Sequence, residues 1–282
     1  MGRSMRKSMG AGSAILLTRV FPGGQAGALG LFRIPTSDEN TEMDFDLLSA
    51  SAPNGEMSQV RSAYKSVWNE LASSRADAYF YVSGYADEEK FFEDADDTLD
   101  ILGKTVGIRP GDVVLEIGCG VGRVGGVLAP FVREWIGCDV SANMLGVAAR
   151  RLTGLSNTRL QEISGFDLQP IPDASVDVVY STVVFMHLDE WDRYNYMLDA
   201  MRVLKPGGRF YCDNVDLAST KGWAVFEESR KMFKPAERPS HLSKCSTPAE
   251  IETFLLHAGF EDIRVAGRLD FWVYGWAKKP AA

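Results

Sequence analysis

The stretch VVLEIGCGVGR, residues 113–123, decides the fold of this chain. A buried-strand pattern from Val113 runs into three glycines, Gly118, Gly120 and Gly122, and Glu116 stands just before them. Glycines at these positions permit a tight turn from strand to helix and let a ligand approach the backbone closely. The helix that follows offers unpaired N–H groups to such a ligand. The stretch therefore predicts an α/β unit with a ligand site at the end of the strand.

Strands and helices alternate through the next hundred residues. Such alternation predicts βαβ crossovers and a parallel sheet that helices cover on both faces. After Val113 to Ile117 we expect helices at 121–131, 141–152, 189–204, 222–234 and 247–259, and strands at 135–139, near Leu160, at 176–184 and at 209–214.

The carboxyl end departs from this alternation. Two apolar runs, Phe260 to Val265 and Leu269 to Ala277, are separated by only three residues. Strands with so short a connection pair as an antiparallel hairpin. The predicted fold is therefore α/β, a Rossmann-like open sheet of seven mostly parallel strands, with a carboxyl-terminal antiparallel hairpin and helices on both faces.

The amino-terminal segment differs in charge from the rest. Its first 35 residues contain five basic and no acidic residues, whereas the whole chain carries a net charge of −8. We expect residues 1–55 to be a disordered arm or the product of a mis-assigned start, with Met43 or Met57 as the alternative beginning. A transit peptide, which is Arg-rich and poor in acidic residues, is a further alternative.

Residues 56–282 are predicted to form a single domain with two additions. Cover helices are expected over 56–108, because Tyr64, Trp68 and Leu71 recur at helical spacing. A lid insertion is expected over 219–246. Tyr81 and Tyr85, in an aromatic cluster between the first two helices, are the candidate substrate or lid contacts.

Composition excludes several classes of function. The excess of acidic residues disfavours a protein that wraps nucleic acid, and no stretch approaches the 20 or so apolar residues that span a bilayer. The four cysteines lie far apart, which argues against a zinc site or a disulfide scaffold. We expect a cytoplasmic protein, monomeric or homodimeric, with no metal, membrane or nucleic-acid partner.

Asp139 is the second candidate ligand residue. It ends the second strand, 19 residues after Gly120, where an acidic side chain binds the hydroxyls of a ribose. Val140 and Met144 are placed to pack on a base. A nicotinamide dehydrogenase would share these features, but its fingerprint is G-x-G-x-x-G, and a carboxylate at Glu116 repels a pyrophosphate while it favours an ammonium or sulfonium.

Four ordered motifs resemble one known family. The loop at 116–123, GCDVSANML at 137–145, PDASVDVV at 172–179 and VLKPGGR at 203–209 are similar to successive motifs of the class I S-adenosylmethionine-dependent methyltransferases, in particular those acting on small molecules. The resemblance covers residues 75–277. It implies S-adenosyl-L-methionine as the cofactor and an enzyme that methylates a small molecule.

The resemblance also implies site residues. The loop residues Glu116, Gly118, Cys119, Gly120 and Gly122 would hold the methionine part of the cofactor, and Asp139 its ribose. Further candidates from the matched motifs are Arg123, Val140, Met144, Gly165, Phe166 and Ser181. Many relatives have Asp where Gly165 stands, so the adenine contact here would fall to backbone groups or Asp167.

Catalysis by methyl transfer needs little more than placement of the acceptor, so a general base is optional. His187 is the candidate base and Asp213, at the end of the fifth strand, is the candidate acceptor-orienting carboxylate. The acceptor atom is expected to be N, O or C. The alternatives are a non-catalytic cofactor-binding or scaffold protein and, less favoured, an NAD-dependent oxidoreductase.

Overall fold

The computed structural model describes residues 14–18, 29–33, 63–73, 88–239 and 242–281. Its helices are α1 Tyr64–Leu71, α2 Glu88–Thr105, α3 Arg123–Leu128, α4 Ala142–Arg151, α5 Glu190–Val203, α6 Thr220–Met232 and α7 Pro248–His257. Its strands are β1 Ala14–Thr18, β2 Leu29–Arg33, β3 Val113–Ile117, β4 Glu134–Asp139, β5 Thr158–Glu162, β6 Val176–Ser181, β7 Leu204–Val215, β8 Glu261–Arg268 and β9 Trp272–Lys278.

Seven of these strands form one sheet in the order β5-β4-β3-β6-β7-β9-β8, and β1 pairs antiparallel with β2 in a separate two-stranded sheet. β9 runs antiparallel to both its neighbours, and the other six strands run parallel to one another. The predicted α/β fold with its carboxyl-terminal hairpin is confirmed. The chain reverses its direction of travel across the sheet at β3, and ligands bind beside such a switch point.

The sheet is buried on both faces. Leu115, Ile117 and Phe210 belong to one buried apolar cluster, and Trp135 and Tyr180 to the other. Helices can cover both faces because successive side chains of each strand point to opposite sides. Two layers of core therefore hold the strand ends rigidly in place.

Three predicted boundaries are corrected. The strand expected at 176–184 ends at Ser181, because Val183 has a φ of 60°, which no strand accommodates. The strand expected from Arg209 begins at Leu204, which pairs with Val176. The helix expected at 121–131 is shorter: α3 begins after Gly122 and gives way to a 3-10 turn that contains Pro130.

The domain boundaries stay a prediction. Helices α1 and α2 are present within the region 56–108 where cover helices were predicted, and residues 56–62 and 74–87 of that region lie outside the described part of the chain. Among the described residues, no helix combines the length and the apolar character needed to cross a membrane.

Candidate functional site

Four adjacent strands bring residues into one row near the carboxyl-end edge of the sheet. Ile117 of β3 pairs with Cys138 of β4 and with Ser181 of β6, and Ser181 pairs with Cys212 of β7. The next residue along each strand therefore emerges at the same edge. These four residues are Gly118, Asp139, Thr182 and Asp213. Sequence-distant groups are thus brought together by register alone.

Asp139 ties the glycine loop to the end of β4. Its carboxylate accepts hydrogen bonds from the backbone N–H of Gly120 at 2.8 Å and of Ser141 at 2.9 Å. Burial raises the pKa of Asp139 to about 6, although these two hydrogen bonds act in the opposite direction. A carboxylate offers about four acceptor positions, so Asp139 keeps acceptor capacity for a ligand beyond its backbone partners Gly120, Val140 and Ser141.

Glu116 lies in a buried chain of hydrogen bonds. Trp135 Nε1 donates to the Tyr180 hydroxyl at 3.2 Å, and that hydroxyl donates to Glu116 Oε2 at 2.6 Å. Burial raises the pKa of Glu116 to about 8, against the hydrogen bond from Tyr180 and the positive charge of Arg123. Because each group in the chain orients the next, the carboxyl group is held in one position.

One cavity lies against these groups. We call four of its residues the cavity floor: Glu116 of β3, Gly118 and Gly120 of the glycine loop, and Asp139 of β4. The full lining combines these carboxyl groups and a guanidinium with apolar and aromatic side chains: Tyr64, Trp68, Glu116, Ile117, Gly118, Cys119, Gly120, Arg123, Asp139, Val140, Met144, Ile163, Thr182, Val183, Val184, His187, Leu188 and Tyr196.

Helix α1 closes the other side, and we call its residues Tyr64 and Trp68 the cavity roof. The Tyr64 hydroxyl donates to Asp192 at 2.6 Å and accepts from the Asp189 N–H at 3.0 Å. The Trp68 ring meets the His187 ring edge-on, with centroids 4.9 Å apart. These contacts fasten the roof to the start of α5 and to the turn at 185–187.

A third contact fastens α1 to α4. Asn69 Oδ1 accepts from the Ser141 hydroxyl at 2.9 Å, and Asn69 O accepts from Asn143 Nδ2 at 3.0 Å. Ser141 also caps α4 by accepting from the Met144 N–H. The roof is therefore joined to the segment that directly follows Asp139.

The glycine loop has no room for a side chain at its first glycine. Gly118 has a φ of 71°, and a Cβ atom there would lie 2.3 Å from Cγ2 of Val184. The loop and the 182–184 segment are thus in direct contact. Gly118 meets both a conformational and a steric requirement that only glycine satisfies.

Residues 115–212 match the family model of the methyltransferase domain. The chain is 35% identical over 150 residues to a probable S-adenosylmethionine-dependent methyltransferase of Mycolicibacterium smegmatis, covering 52% of this chain and 51% of that protein. It is 29% identical over 157 residues to the malonyl-[acyl-carrier protein] O-methyltransferase of Methylococcus capsulatus, covering 55% and 54%. The chain spans about half the length of these curated relatives.

The chain carries a class I S-adenosylmethionine-dependent methyltransferase domain. This confirms the predicted family. The fold is also that of a solved Haemonchus contortus phosphoethanolamine N-methyltransferase 1 in complex with phosphoethanolamine and S-adenosylhomocysteine. That structure superposes with a TM-score of 0.58 and 20% identity, over 79% of this chain and 49% of that one.

The methyltransferase domain brings most of the predicted site residues into one cavity. Its lining includes the predicted residues Glu116, Gly118, Cys119, Gly120, Arg123, Asp139, Val140, Met144 and His187. Among the described residues, five other candidates lie outside the lining. Gly122 is the N-cap of α3, the Ser181 hydroxyl donates to Ile117 O, and Gly165 and Phe166 lie beside the roof residue Tyr64. The fifth is Asp213.

Asp213 lies behind the cavity wall. It is buried, and its Oδ1 accepts from the Val183 N–H at 2.7 Å. Burial raises the pKa of Asp213 to about 7, while that hydrogen bond and Arg123 act against the rise. This carboxyl group therefore contacts the cavity wall at Val183, and its predicted catalytic role stays a prediction.

The structure does not test the predicted roles of the tyrosine pair and of the lid insertion. Tyr81 and Tyr85 lie outside the described residues. The predicted lid at 219–246 consists of α6, a 3-10 turn at 235–237 and a return segment, and residues 240–241 within it are not described. Its described residues do not line the cavity, so a lid function stays a prediction.

Sequence reasoning missed several residues of the cavity lining. Tyr64 and Trp68 were expected on a cover helix, but their spacing does not say what the helix covers. Thr182, Val183 and Val184 were expected in a strand. The one available signal was position: these three residues directly follow the strand that pairs with β3.

Proposed function

We propose that this chain transfers the methyl group of S-adenosylmethionine to a small-molecule acceptor. The observation that carries the proposal is the cavity floor, where a glycine loop, a strand-end carboxylate and a second buried carboxyl group face one space. The match of residues 115–212 to the methyltransferase domain supports the same reaction class.

The residues present fit this cofactor. S-adenosylmethionine carries a ribose diol, a purine, a sulfonium, an ammonium and a carboxylate. Asp139 retains acceptor positions for the diol, while Glu116 offers a carboxyl oxygen and Arg123 a positive charge for the amino-acid part. Val140 and Met144 supply an apolar wall for the purine. Among the residues that the structure describes, the cavity lining contains no lysine and no second arginine that would favour a pyrophosphate.

The bound cofactor supplies a methyl group activated by its sulfonium. The chain's residues have to place the acceptor in line with that methyl group and exclude water. Tyr64, Trp68 and Leu188 give the cavity apolar surface for this purpose. His187 lies in the wall under Trp68, where its imidazole can take up a proton from an acceptor that carries one.

Two observations support the proposal of a small-molecule acceptor with N, O or C as its nucleophile. The chain's net charge of −8 disfavours nucleic acid. One relative is named for a malonyl-acyl carrier protein and another for phosphoethanolamine, and these are small acceptors or small groups on a carrier. A cytoplasmic location and a monomeric or homodimeric state belong to the same proposal.

Calorimetric titration tests the cofactor. We expect S-adenosylmethionine and S-adenosylhomocysteine to bind and NAD to give no heat. Transfer of labelled methyl groups to phosphoethanolamine, to malonyl-acyl carrier protein and to a panel of amines, phenols and carboxylates then tests the reaction. Cofactor binding without transfer to any of them would favour the non-catalytic alternative, and binding of NAD would contradict the proposal.

A further inference from the structure

The segment Thr182–Val184 forms one wall of the cavity in an unusual backbone conformation. Val183 has a φ of 60°, in the left-handed region that β-branched residues rarely adopt. All three residues line the cavity. A strained residue of this kind persists only where the surrounding structure enforces it.

Two contacts enforce the conformation of Val183. On one side, the buried Asp213 carboxylate accepts from the Val183 N–H at 2.7 Å. On the other side, the Val184 side chain fills the space over Gly118, where a Cβ atom would lie 2.3 Å away. The segment is therefore held between the end of β7 and the glycine loop.

The same segment leads into the turn that bears His187. The His187 N–H donates to Val184 O at 2.8 Å, which begins the 3-10 turn 185–187. The start of that turn is therefore fixed by the residues that Asp213 holds. The 182–184 segment and His187, two parts of the cavity wall, are therefore both linked to Asp213 through the backbone.

We propose that Asp213 is a positioning residue that holds Val183 in its left-handed conformation and so sets the cavity wall against the glycine loop. It acts through the backbone of Val183 and does not touch the ligand. This inference rests on the proposed function, because the wall matters for activity only if the cavity binds the cofactor.

Two substitutions separate this role from a charge effect. Asp213→Asn keeps an oxygen that accepts from the Val183 N–H, whereas Asp213→Ala removes the acceptor. Asp216→Ala is the matched control, because Asp216 is also a buried acid at the end of β7 and accepts from the Ala218 N–H at 2.9 Å, away from the cavity.

Hydrogen exchange measured by mass spectrometry on the ligand-free protein gives the first readout. We expect the peptide spanning residues 182–187 to exchange about tenfold faster in Asp213→Ala and at the wild-type rate in Asp213→Asn and Asp216→Ala. Unchanged exchange in Asp213→Ala would overturn the proposal whether or not the cofactor binds.

Calorimetry with S-adenosylhomocysteine gives the second readout. We expect Asp213→Ala to weaken affinity about tenfold and Asp213→Asn to stay within about threefold of wild type. Equal losses in both variants, with normal exchange in Asp213→Asn, would show that the charge matters and would overturn the positioning role. No binding by the wild-type protein would refute the proposed cofactor, and the exchange result would still decide how Asp213 acts on Val183.

Repeating the Asp213→Ala measurement in a Val183→Gly variant tests the backbone strain directly. Glycine adopts a positive φ without steric cost, so Val183→Gly should make the hydrogen bond from the residue 183 N–H to Asp213 less necessary. We expect Asp213→Ala to cost less S-adenosylhomocysteine affinity in the Val183→Gly background than in the wild-type background. An equal or larger cost would contradict the proposal.

Discussion

The floor and the roof of the cavity are built in different ways. The floor comes from residues 116–139, which are close in sequence and lie within the segment that matches the methyltransferase domain. The roof comes from α1, which lies outside that segment and reaches it through contacts such as that from Tyr64 to Asp192, 128 residues away. The floor residues can therefore be located from a short stretch of sequence, while the position of the roof depends on contacts between residues far apart in the chain.

The largest expected effect concerns the floor. Asp139→Ala should weaken S-adenosylhomocysteine binding at least about 100-fold, because each hydrogen bond to a charged group contributes about 1.5–3 kcal/mol and the ribose would lose two. Calorimetry measures this, with Asp173→Ala as a control because Asp173 lies at the surface in an ion pair with Arg202. Full affinity in Asp139→Ala would remove the floor from cofactor recognition.

A second test of the floor concerns its glycine loop. Gly118→Ala combines a positive φ with a Cβ clash against Val184 and should lower the free energy of unfolding by about 2–4 kcal/mol. Gly154→Ala is a matched control, because Gly154 has a φ of 98° with no heavy atom within 4 Å of the added Cβ. Urea unfolding should show the larger loss for Gly118→Ala, and equal losses would mean that contact with Val184 is unimportant.

Glu116 in the cavity floor should make the free energy of unfolding depend on pH. Burial raises the pKa of Glu116 to about 8, above its ordinary value of 4.5. Between pH 4.5 and about 8, the folded protein therefore keeps a proton on Glu116 that the unfolded chain has released. The free energy of unfolding should fall as pH rises from about 4.5 to 8, by at most about 1.4 kcal/mol per pH unit from this group. Denaturant titrations across this range should show a shallower fall in Glu116→Gln, and an identical slope would contradict the assignment.

The smallest expected effect concerns the roof. Tyr64→Phe removes one hydroxyl and leaves the Asp192 carboxylate and the Asp189 N–H without that partner, which should cost about 1–2 kcal/mol in the free energy of unfolding. Tyr194→Phe is the comparison variant, because the Tyr194 ring packs on Phe254 between α5 and α7. A loss in Tyr64→Phe no larger than in Tyr194→Phe would show that the roof is held by packing alone.

Sequence predicted the floor better than the roof for a physical reason. The turn after β3 and the acid at the end of β4 follow from local periodicity and spacing, so the amino-acid pattern is enough to place Gly118 and Asp139 at strand ends. The partner of Tyr64 could not be predicted, because an amphipathic helix shows that a face is buried and not what buries it.

The strand ends show the same limit. Asp213 lies within β7, which continues to Val215, and its contact with Val183 depends on a left-handed valine. Sequence patterns favour extended structure for a run of β-branched residues, so the end of β6 at Ser181 and the wall that follows it were not predictable.

The position of β9 has a consequence for how the protein is made. β9 follows β8 in the chain, yet it lies between β7 and β8 in the sheet. During synthesis the strands from β3 to β7 emerge first, and the edge of β7 has no neighbour until residues 272–278 have been translated. An unpaired edge is a site for pairing with another chain. That edge of β7 is therefore unpaired until β9 has been made, and a chain truncated within the last hairpin would keep it exposed.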